Sequence, residues 1–138
     1  MLRAYLAGRF TERKRLRVER TTLKLGGVID VVADWLDVKE DVTGESEQIK
    51  AACHDLRQVK DADFLILDLE GDQGGSGRFV EFGAALAWGK PVWLVLGEDP
   101  GARWSVFHSL AVKHFKNWDE LHRWAQTLVG GSDGGGNG

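Results

Sequence analysis

The sequence is poor in the residues that build disulfide frameworks, metal cages and membrane spans. It contains one cysteine among 138 residues, which excludes an internal disulfide and a cysteine-based zinc cage. No apolar run is long enough to cross a bilayer, and the N-terminus lacks the apolar core of a signal peptide. The formal net charge of -3 gives no general attraction to nucleic acid or to anionic membranes. We therefore expect a cytoplasmic protein that binds neither a membrane nor polymeric nucleic acid.

The chain has no histidine arrangement that is typical of a metal or hydrolase site. Its histidines are scattered, at His54, His108, His114 and His122, and none has metalloprotease spacing. His54 and His122 fall on polar helix faces, where we expect them to be solvated, whereas His108 follows a strand and could reach a site. A Gly-x-Ser-x-Gly elbow is also missing, which argues against a serine hydrolase.

Glycine and tryptophan, by contrast, are plentiful and unevenly placed. Residues 130–138 contain six glycines and no apolar side chain that could be buried, so we predict a domain over 1–129 and a disordered glycine-rich tail over 130–138. Tryptophan occurs 6 times, which is compatible with an aromatic core, a subunit interface or a base-stacking pocket.

Short apolar runs alternate with helical patterns along the whole domain. We predict strands at 2–6, 28–33, 64–67, 92–96 and 111–115, and helices at 12–25, 45–60, 78–88 and after Asn117. The second helix has an apolar stripe that includes Cys53, which we expect in the core. Continuous apolar strands between helices predict a doubly wound, five-stranded parallel sheet of the flavodoxin-like or Rossmann-like kind. Right-handed crossovers favour the strand order 2-1-3-4-5.

The most informative segment is the glycine-rich run 74–77 followed by Glu81. A glycine loop between a strand and a helix can cradle an anion or a sugar, here through Gly75, Ser76 and Gly77. Glu81, at the start of the next helix, could be a nucleophile towards C1 of a pentose, kept ionised by the helix dipole. A flexible loop and an ordinary helix-start acid remain the simpler alternatives.

Further candidates flank the point where strands one and three diverge. Asp68 and Glu70 end strand three and could hold sugar hydroxyls or donate a proton, or else lie in a solvated loop. The others belong to strand one, its turn and the start of the third helix, and they could bind substrate or be structural: Tyr5, Gly8, Arg9 and Arg78.

Three segments together resemble the nucleoside 2-deoxyribosyltransferase superfamily. They are Ala4 to Gly8, Ala62 to Leu67 and Gly77 to Val92, and the resemblance is closest to small members from phages and actinobacteria. The resemblance implies a glutamate nucleophile, which is Glu81 here, and a covalent glycosyl-enzyme intermediate. Glu70 falls where many members have aspartate, and Asp68 could substitute for it.

The resemblance also implies a small-molecule substrate, no cofactor and a homo-oligomer of two or more subunits. Arg9 and Arg78 replace the uncharged residues of many members, which slightly favours a nucleoside 5′-monophosphate over a free nucleoside. The base would stack on Phe10 or Trp35. The activity expected is 2-deoxyribosyl transfer or N-glycosidic hydrolysis, and the alternative is a nucleotide-binding module that senses or sequesters its ligand without turnover.

Overall fold

The protein is an α/β sandwich in which helices cover a central parallel sheet. The computed structural model describes residues 1–71, 75–97 and 106–137, with side chains as far as 129. The strands are β1 (Leu2–Ala7), β2 (Ile29–Val31), β3 (Phe64–Asp68), β4 (Val92–Val95) and β5 (Lys113–Phe115). The helices are α1 (Arg13–Leu25), α2 (Glu45–Asp61), α3 (Gly77–Ala87) and α4 (Trp118–Asn137). Single 3-10 turns occur at Phe10–Glu12, Asp34–Asp37 and Val106–Leu110.

The sheet has the order β2-β1-β3-β4-β5, and every neighbouring pair is parallel. This confirms the predicted fold class and strand order. All five residues of β3 are buried, because helices cover both faces of this central strand. The order leaves β1 and β3 adjacent while their chains continue to opposite sides, so the loops after Ala7 and Asp68 open a crevice between them.

Much of the tryptophan lies in the aromatic part of the core. The ring of Trp93 on β4 lies 4.2 Å from that of Phe64 and 5.0 Å from that of Trp124 on α4. Trp35 and Trp118 are buried as well, whereas Trp88 at the end of α3 is largely exposed. Of the three explanations that the sequence left open, an aromatic core accounts for most of the described tryptophans.

The outer face of α2 differs from the prediction. Cys53 is exposed, and Ile49, one turn earlier, is 58% exposed, whereas Val59 near the end of the helix is buried. The apolar stripe therefore reaches the core only over the last turns of the helix, where α2 packs against α3. The expected core position of Cys53 is wrong because apolar periodicity shows which residues share a face, but not how far along the helix that face is covered.

The last helix begins as the sequence predicts. The backbone N–H of Glu120 donates to the Asn117 side chain, and the Glu120 carboxylate accepts from the N–H of Lys116, so both side chains cap the first turn. The bounds of α4 include the glycine-rich residues 130–137, for which the composition predicts disorder. The division into a domain over 1–129 and a tail stays a prediction. In the described parts of the chain, no helix combines the length and the apolar character that a membrane span requires.

Candidate active site

A cavity of about 210 Å³ lies in the crevice between β1 and β3. The two loops meet there as predicted, since a Cβ at Gly75 would lie 3.0 Å from the Cγ of Arg9. Pockets for drug-sized ligands have volumes of roughly 300–1,000 Å³, and this cavity is smaller. Its volume therefore suits a group of about the size of a sugar. The lining residues come from both loops and from three helical segments: Gly8, Arg9, Phe10, Trp35, Asp55, Gly75, Gly77, Arg78 and Glu81.

Glu81 projects into this cavity from α3. It is the fifth residue of the helix and so belongs to the second turn, beyond the reach of most of the dipole effect. Burial, together with the charge of Asp55, raises the pKa of Glu81 to about 8. The expectation that the helix dipole keeps this carboxylate ionised is therefore wrong, and near neutral pH it is mainly protonated in the free protein.

Tyr5 supplies the hydrogen bond that fixes Glu81. Its hydroxyl donates to Oε2 of the Glu81 carboxylate, and the whole tyrosine is buried in β1. Burial and the nearby Glu81 charge raise the pKa of Tyr5, so the phenol keeps its proton and acts only as a donor to the ionised glutamate. This bond stabilises the carboxylate form and lowers the pKa of Glu81 against the effect of burial. Tyr5 is fully buried and is not among the residues that line the cavity, so it reaches the site through Glu81, and its predicted contact with substrate stays a prediction.

Asp55 is the cavity residue that sequence reasoning missed. It lies on α2, and its carboxyl group lines the same cavity as Glu81. Burial is the main cause that raises the pKa of Asp55 to about 6, while the neighbouring His54 opposes the shift. His54 in turn contacts Asp34, with 2.9 Å between Nε2 and Oδ2. The only signal in the sequence was an acid within the apolar stripe of α2, two residues after Cys53.

Asp68 does not line the cavity, contrary to the role proposed for it. Its carboxylate is fully buried and accepts hydrogen bonds from Arg15 Nη2 at 2.7 Å and from Trp118 Nε1 at 2.8 Å. Burial raises the pKa of Asp68, and these two donors oppose that shift. Because arginine keeps its proton, the contact is a buried ion pair that joins β3 to α1 and α4.

Glu70 belongs to the same cluster. Its carboxylate lies 3.8 Å from Nη1 of Arg15, and its backbone carbonyl accepts from Nη2 of the same arginine at 3.2 Å. Burial and the Asp68 charge raise the pKa of Glu70. Arg15 thus forms ion pairs with both acids that were expected to assist Glu81. Neither acid is among the cavity-lining residues of the described chain. The sequence could not reveal this, since it does not show which basic residue of α1 turns inwards.

Arg78 is buried and not solvent-exposed. It retains only 3% of its accessible surface, and its Nη1 donates to the backbone carbonyl of Asp68 at 3.0 Å. The bond joins the first turn of α3 to the end of β3, and the side chain still borders the cavity. Ser76 precedes the helix as its N-cap residue, without a side-chain cap bond, and its carbonyl accepts from the N–H of Phe79. Gly74 lies outside the described residues.

The two aromatic candidates form one end of the cavity. Trp35 is only 8% exposed, and its indole N–H donates to the carbonyl of Leu6 at 2.8 Å, so its ring is fixed in place. A Cβ at Gly8 would lie 3.6 Å from that ring and 2.5 Å from the Cδ1 of Leu16. Gly8 is therefore required for packing against α1, in addition to lining the cavity. Phe10 lies partly buried in the turn that follows β1.

His108 lies in a different place from the one predicted. It is buried in a second, mostly apolar cavity, where its ring stacks on Phe82 with 5.5 Å between centroids. Burial lowers the pKa of His108, so this ring is neutral at physiological pH. The prediction of a solvated His122 is also wrong, because its Nε2 contacts the Glu19 carboxylate in a partly buried pair between α4 and α1. Among the described residues, no group of three or more ligating side chains could hold a metal ion.

The doubly wound sheet, with a hydroxyl-bound glutamate beside a cavity at the carboxyl ends of its strands, defines an α/β protein with a candidate reactive carboxylate. The chain belongs to the nucleoside 2-deoxyribosyltransferase family, whose model matches residues 4–117. Membership supports activity at an N-glycosidic bond in general, as transfer or as cleavage. No curated protein gives a significant match to the chain.

Solved structures with the same fold include two enzymes of this chemistry. The 2-deoxyribosyltransferase of Bacillus psychrosaccharolyticus aligns with a TM-score of 0.71 and 20% identity, over 87% of this chain and 90% of that one. The CMP N-glycosidase of Clostridium botulinum aligns at 0.57 and 20%, over 92% and 98%. A conserved protein of Enterococcus faecalis aligns at 0.67 and 17%, over 93% and 99%. At these identities the likeness shows the fold.

Proposed function

We propose that the protein cleaves the N-glycosidic bond of a nucleoside or nucleotide, or transfers its 2-deoxyribosyl group, with Glu81 as the nucleophile. The observation that carries the proposal is the geometry of Glu81. Glu81 lines a sugar-sized cavity, and its carboxyl group accepts a hydrogen bond from the buried Tyr5 hydroxyl. A carboxylate that is buried and oriented by one donor is suited to attack a carbon that develops positive charge.

In the first step a carboxylate oxygen of Glu81 forms a bond to C1′ of the sugar. The bond between C1′ and the base nitrogen breaks, and its electron pair leaves with the base. The departing nitrogen needs a proton, and Asp55 is the second carboxyl group in the cavity. We assign Asp55 as the general acid in place of Asp68 and Glu70, whose carboxylates are bound to Arg15.

In the second step the ionised Asp55 takes a proton from a water molecule or from an incoming base. The deprotonated nucleophile attacks C1′, and the bond between C1′ and the Glu81 oxygen breaks, which regenerates the carboxylate. Water as the acceptor gives hydrolysis, and a second base gives transfer. Whichever acceptor is used, the same two carboxyl groups serve both steps, and no cofactor takes part.

The protonation of this pair fits that cycle. Asp55 and Glu81 have pKa values of about 6 and about 8, so together they hold one proton between these pH values. These values place the proton mainly on Glu81, so the reactive arrangement, with the proton on Asp55 and the charge on Glu81, is the minor form of the pair; the Tyr5 hydroxyl stabilises it. We therefore expect a bell-shaped dependence of kcat/KM on pH, with its maximum near pH 7.

A 5′-monophosphate remains the slightly favoured substrate. Arg9 lines the cavity and extends along Gly75, in the glycine loop, where its guanidinium can meet a phosphate. Arg78 also borders the cavity, but its bond to the Asp68 carbonyl gives it a structural function too. Arg9→Ala is therefore the cleaner test, and we expect it to raise KM for a deoxynucleoside monophosphate without raising KM for the nucleoside. An equal KM for the monophosphate would contradict this preference.

A chromatographic assay tests the activity itself. Nucleosides, deoxynucleosides and their monophosphates are incubated with the protein, with and without an added acceptor base, and free or exchanged base is measured. We expect release or exchange by the wild type and none by Glu81→Ala. Tight binding of a nucleotide without release of base by the wild type would instead establish the non-catalytic binding module.

The oligomeric state is a further part of the proposal. Large apolar side chains are exposed beside the second cavity, notably Val106, Phe107 and Leu110. Exposed apolar clusters of this kind mark interaction surfaces. We propose a homo-oligomer, and light scattering of the purified protein at several concentrations would overturn this if only a monomer were found.

A further inference from the structure

Arg13, at the start of α1, lies over one face of the Phe10 ring. The guanidinium carbon Cζ is 3.6 Å from the ring centroid, which is a close cation–π contact. The Nε of the same guanidinium donates to the backbone carbonyl of Phe10 at 2.9 Å. One side chain therefore holds both the ring and the backbone of Phe10.

The charge of Arg13 is not used for an ion pair within the described chain. Arg15 and Arg20, on the same helix, bind the carboxylates of Asp68 and Asp37. Arg13 has no such partner among the described residues, and its Nη1 is buried without a hydrogen bond there. A buried donor without an acceptor lowers the stability of the fold. The cation–π contact with Phe10 is the interaction that can offset this cost.

Phe10 is the lining residue that this contact organises. One face of its ring is covered by Arg13, so only the remainder of the ring is available to line the cavity. Trp35 and Gly8 complete this end of the cavity, and the Trp35 ring is fixed by its bond to Leu6. Two aromatic residues, Phe10 and Trp35, thus line the same cavity as Glu81 and Asp55.

We infer that Arg13 is a positioning residue that holds the Phe10 ring as the surface on which the base of the substrate stacks. This inference rests on the proposed function and adds a residue that lies outside the cavity. A ring fixed before binding loses less conformational freedom when the base arrives. Stacking on an aromatic ring is tolerant of the base, so Arg13 should strengthen binding of purine and pyrimidine substrates alike.

Arg13→Met tests the inference, because methionine keeps the length of the side chain but removes the charge and the donors. We expect KM and the Kd of a nucleoside monophosphate, measured by calorimetry, to rise about 5- to 30-fold. The saturated kcat and the pH profile should stay within about twofold, because Glu81 and Asp55 are untouched. Arg13→Lys keeps a cation over the ring and should restore most of the affinity.

A double-mutant cycle separates this positioning from a general structural effect. Phe10→Leu should weaken binding to a similar degree, and Arg13→Met should add almost nothing once Phe10 is replaced. Additive effects of the two substitutions, or an unchanged Kd in Arg13→Met, would overturn the inference. Arg20→Met is the matched control, since it removes a guanidinium from the same helix and should leave Kd unchanged.

Folding and activity are checked separately. If thermal unfolding shows that Arg13→Met does not fold, Arg13→Gln replaces it, because its amide can still donate to the Phe10 carbonyl while the cation is lost. Absence of base release by the wild type would contradict the proposed function. Normal release by the wild type together with an unchanged Kd in a folded, charge-free Arg13 variant would contradict only the inference about Arg13.

Discussion

Two groups of acids lie at the same edge of the sheet, and they differ in the partner that each carboxyl group has. Asp68 and Glu70 contact the guanidinium of Arg15, which cannot release its proton. The Glu81 carboxylate accepts a hydrogen bond from the neutral hydroxyl of Tyr5, and Asp55 lines the same cavity. An acid bound to arginine has its charge neutralised and its geometry fixed. An acid bound to a neutral hydroxyl has no fixed counter-charge, so its protonation state can change during a reaction. Such an acid is suited to act as a nucleophile or as an acid–base group.

The largest expected difference between the two groups is in turnover. Glu81→Gln should lower kcat/KM by about 10⁴-fold, because the amide cannot form the glycosyl ester. Steady-state release of base measures this loss. Glu47→Gln, an exposed acid of α2, is the control and should keep full activity. Retention of more than a tenth of the activity in Glu81→Gln would remove Glu81 from the reaction.

The same Glu81 variant should change stability in the opposite direction. Folding raises the pKa of Glu81 from 4.5 to about 8, so the native state binds more protons than the unfolded state between these pH values. Wild-type stability should therefore fall as pH rises from about 4.5 to about 8, by a few kcal/mol at most. Glu81→Gln lacks this titration, so its Tm should equal or exceed the wild-type Tm at pH 9. A lower Tm at that pH would argue against the raised pKa.

Asp68→Ala should act mainly on stability. Removing this buried carboxylate leaves the partly buried Arg15 guanidinium and the buried Trp118 indole without their acceptor, which costs about 3–5 kcal/mol. Urea unfolding at pH 7 measures the difference, and Asp119→Ala at the exposed start of α4 should cost less than about 1 kcal/mol. If Asp68→Ala were as stable as the wild type but inactive, Asp68 would belong with the reactive acids and not with the structural ones.

Asp55→Asn should lower turnover by about 10²–10³-fold, which is the usual contribution of a general acid. The loss should be larger for substrates whose base is a poor leaving group, because these depend most on protonation. A nucleoside analogue with an acidic leaving group, such as a nitrophenyl deoxyriboside, should be cleaved almost normally. Equal losses for both kinds of substrate would show that Asp55 is not the proton donor.

The smallest expected effect is that of Tyr5→Phe, which removes the hydrogen bond and keeps the ring. Since that bond lowers the pKa of Glu81, its loss should move the upper limb of the pH profile, near 8, to higher pH. We expect a shift of about one unit or less and a fall of about tenfold in kcat. An unchanged upper limb would mean that the titrating group is not Glu81.

The fold could be predicted because its signals are local. Apolar runs and helical patterns placed the elements, right-handed crossovers predicted the strand order, and the last helix begins after Asn117 as expected. Eight of the nine cavity residues were also candidates, because loops at the carboxyl ends of β1 and β3 have to meet. Asp55 was missed since it reaches the cavity from the middle of a helix, and its place near the apolar stripe of α2 was the only sequence signal that set it apart from a surface acid.

The partners of each acid could not be predicted. Arg15 lies in a basic segment with six cations between Arg9 and Arg20, and only packing of α1 against the sheet selects the one that turns towards Asp68. The raised pKa of Glu81 likewise depends on burial in the folded chain and on the charge of Asp55, which is distant in the sequence. Local propensity carries no information about such contacts.

The bond between Trp118 and Asp68 also constrains when this protein can fold during synthesis. The two residues are 50 positions apart, and β1, the first strand of the chain, pairs with β2 and β3, which are both made later. When β1, α1 and β3 have emerged from the ribosome, the Asp68 carboxylate is already part of the forming core. At that stage α4, which carries its partner Trp118, has not yet been made. The nascent chain must keep that edge soluble until Trp118 emerges, so this domain is expected to complete its folding only after α4 has been made.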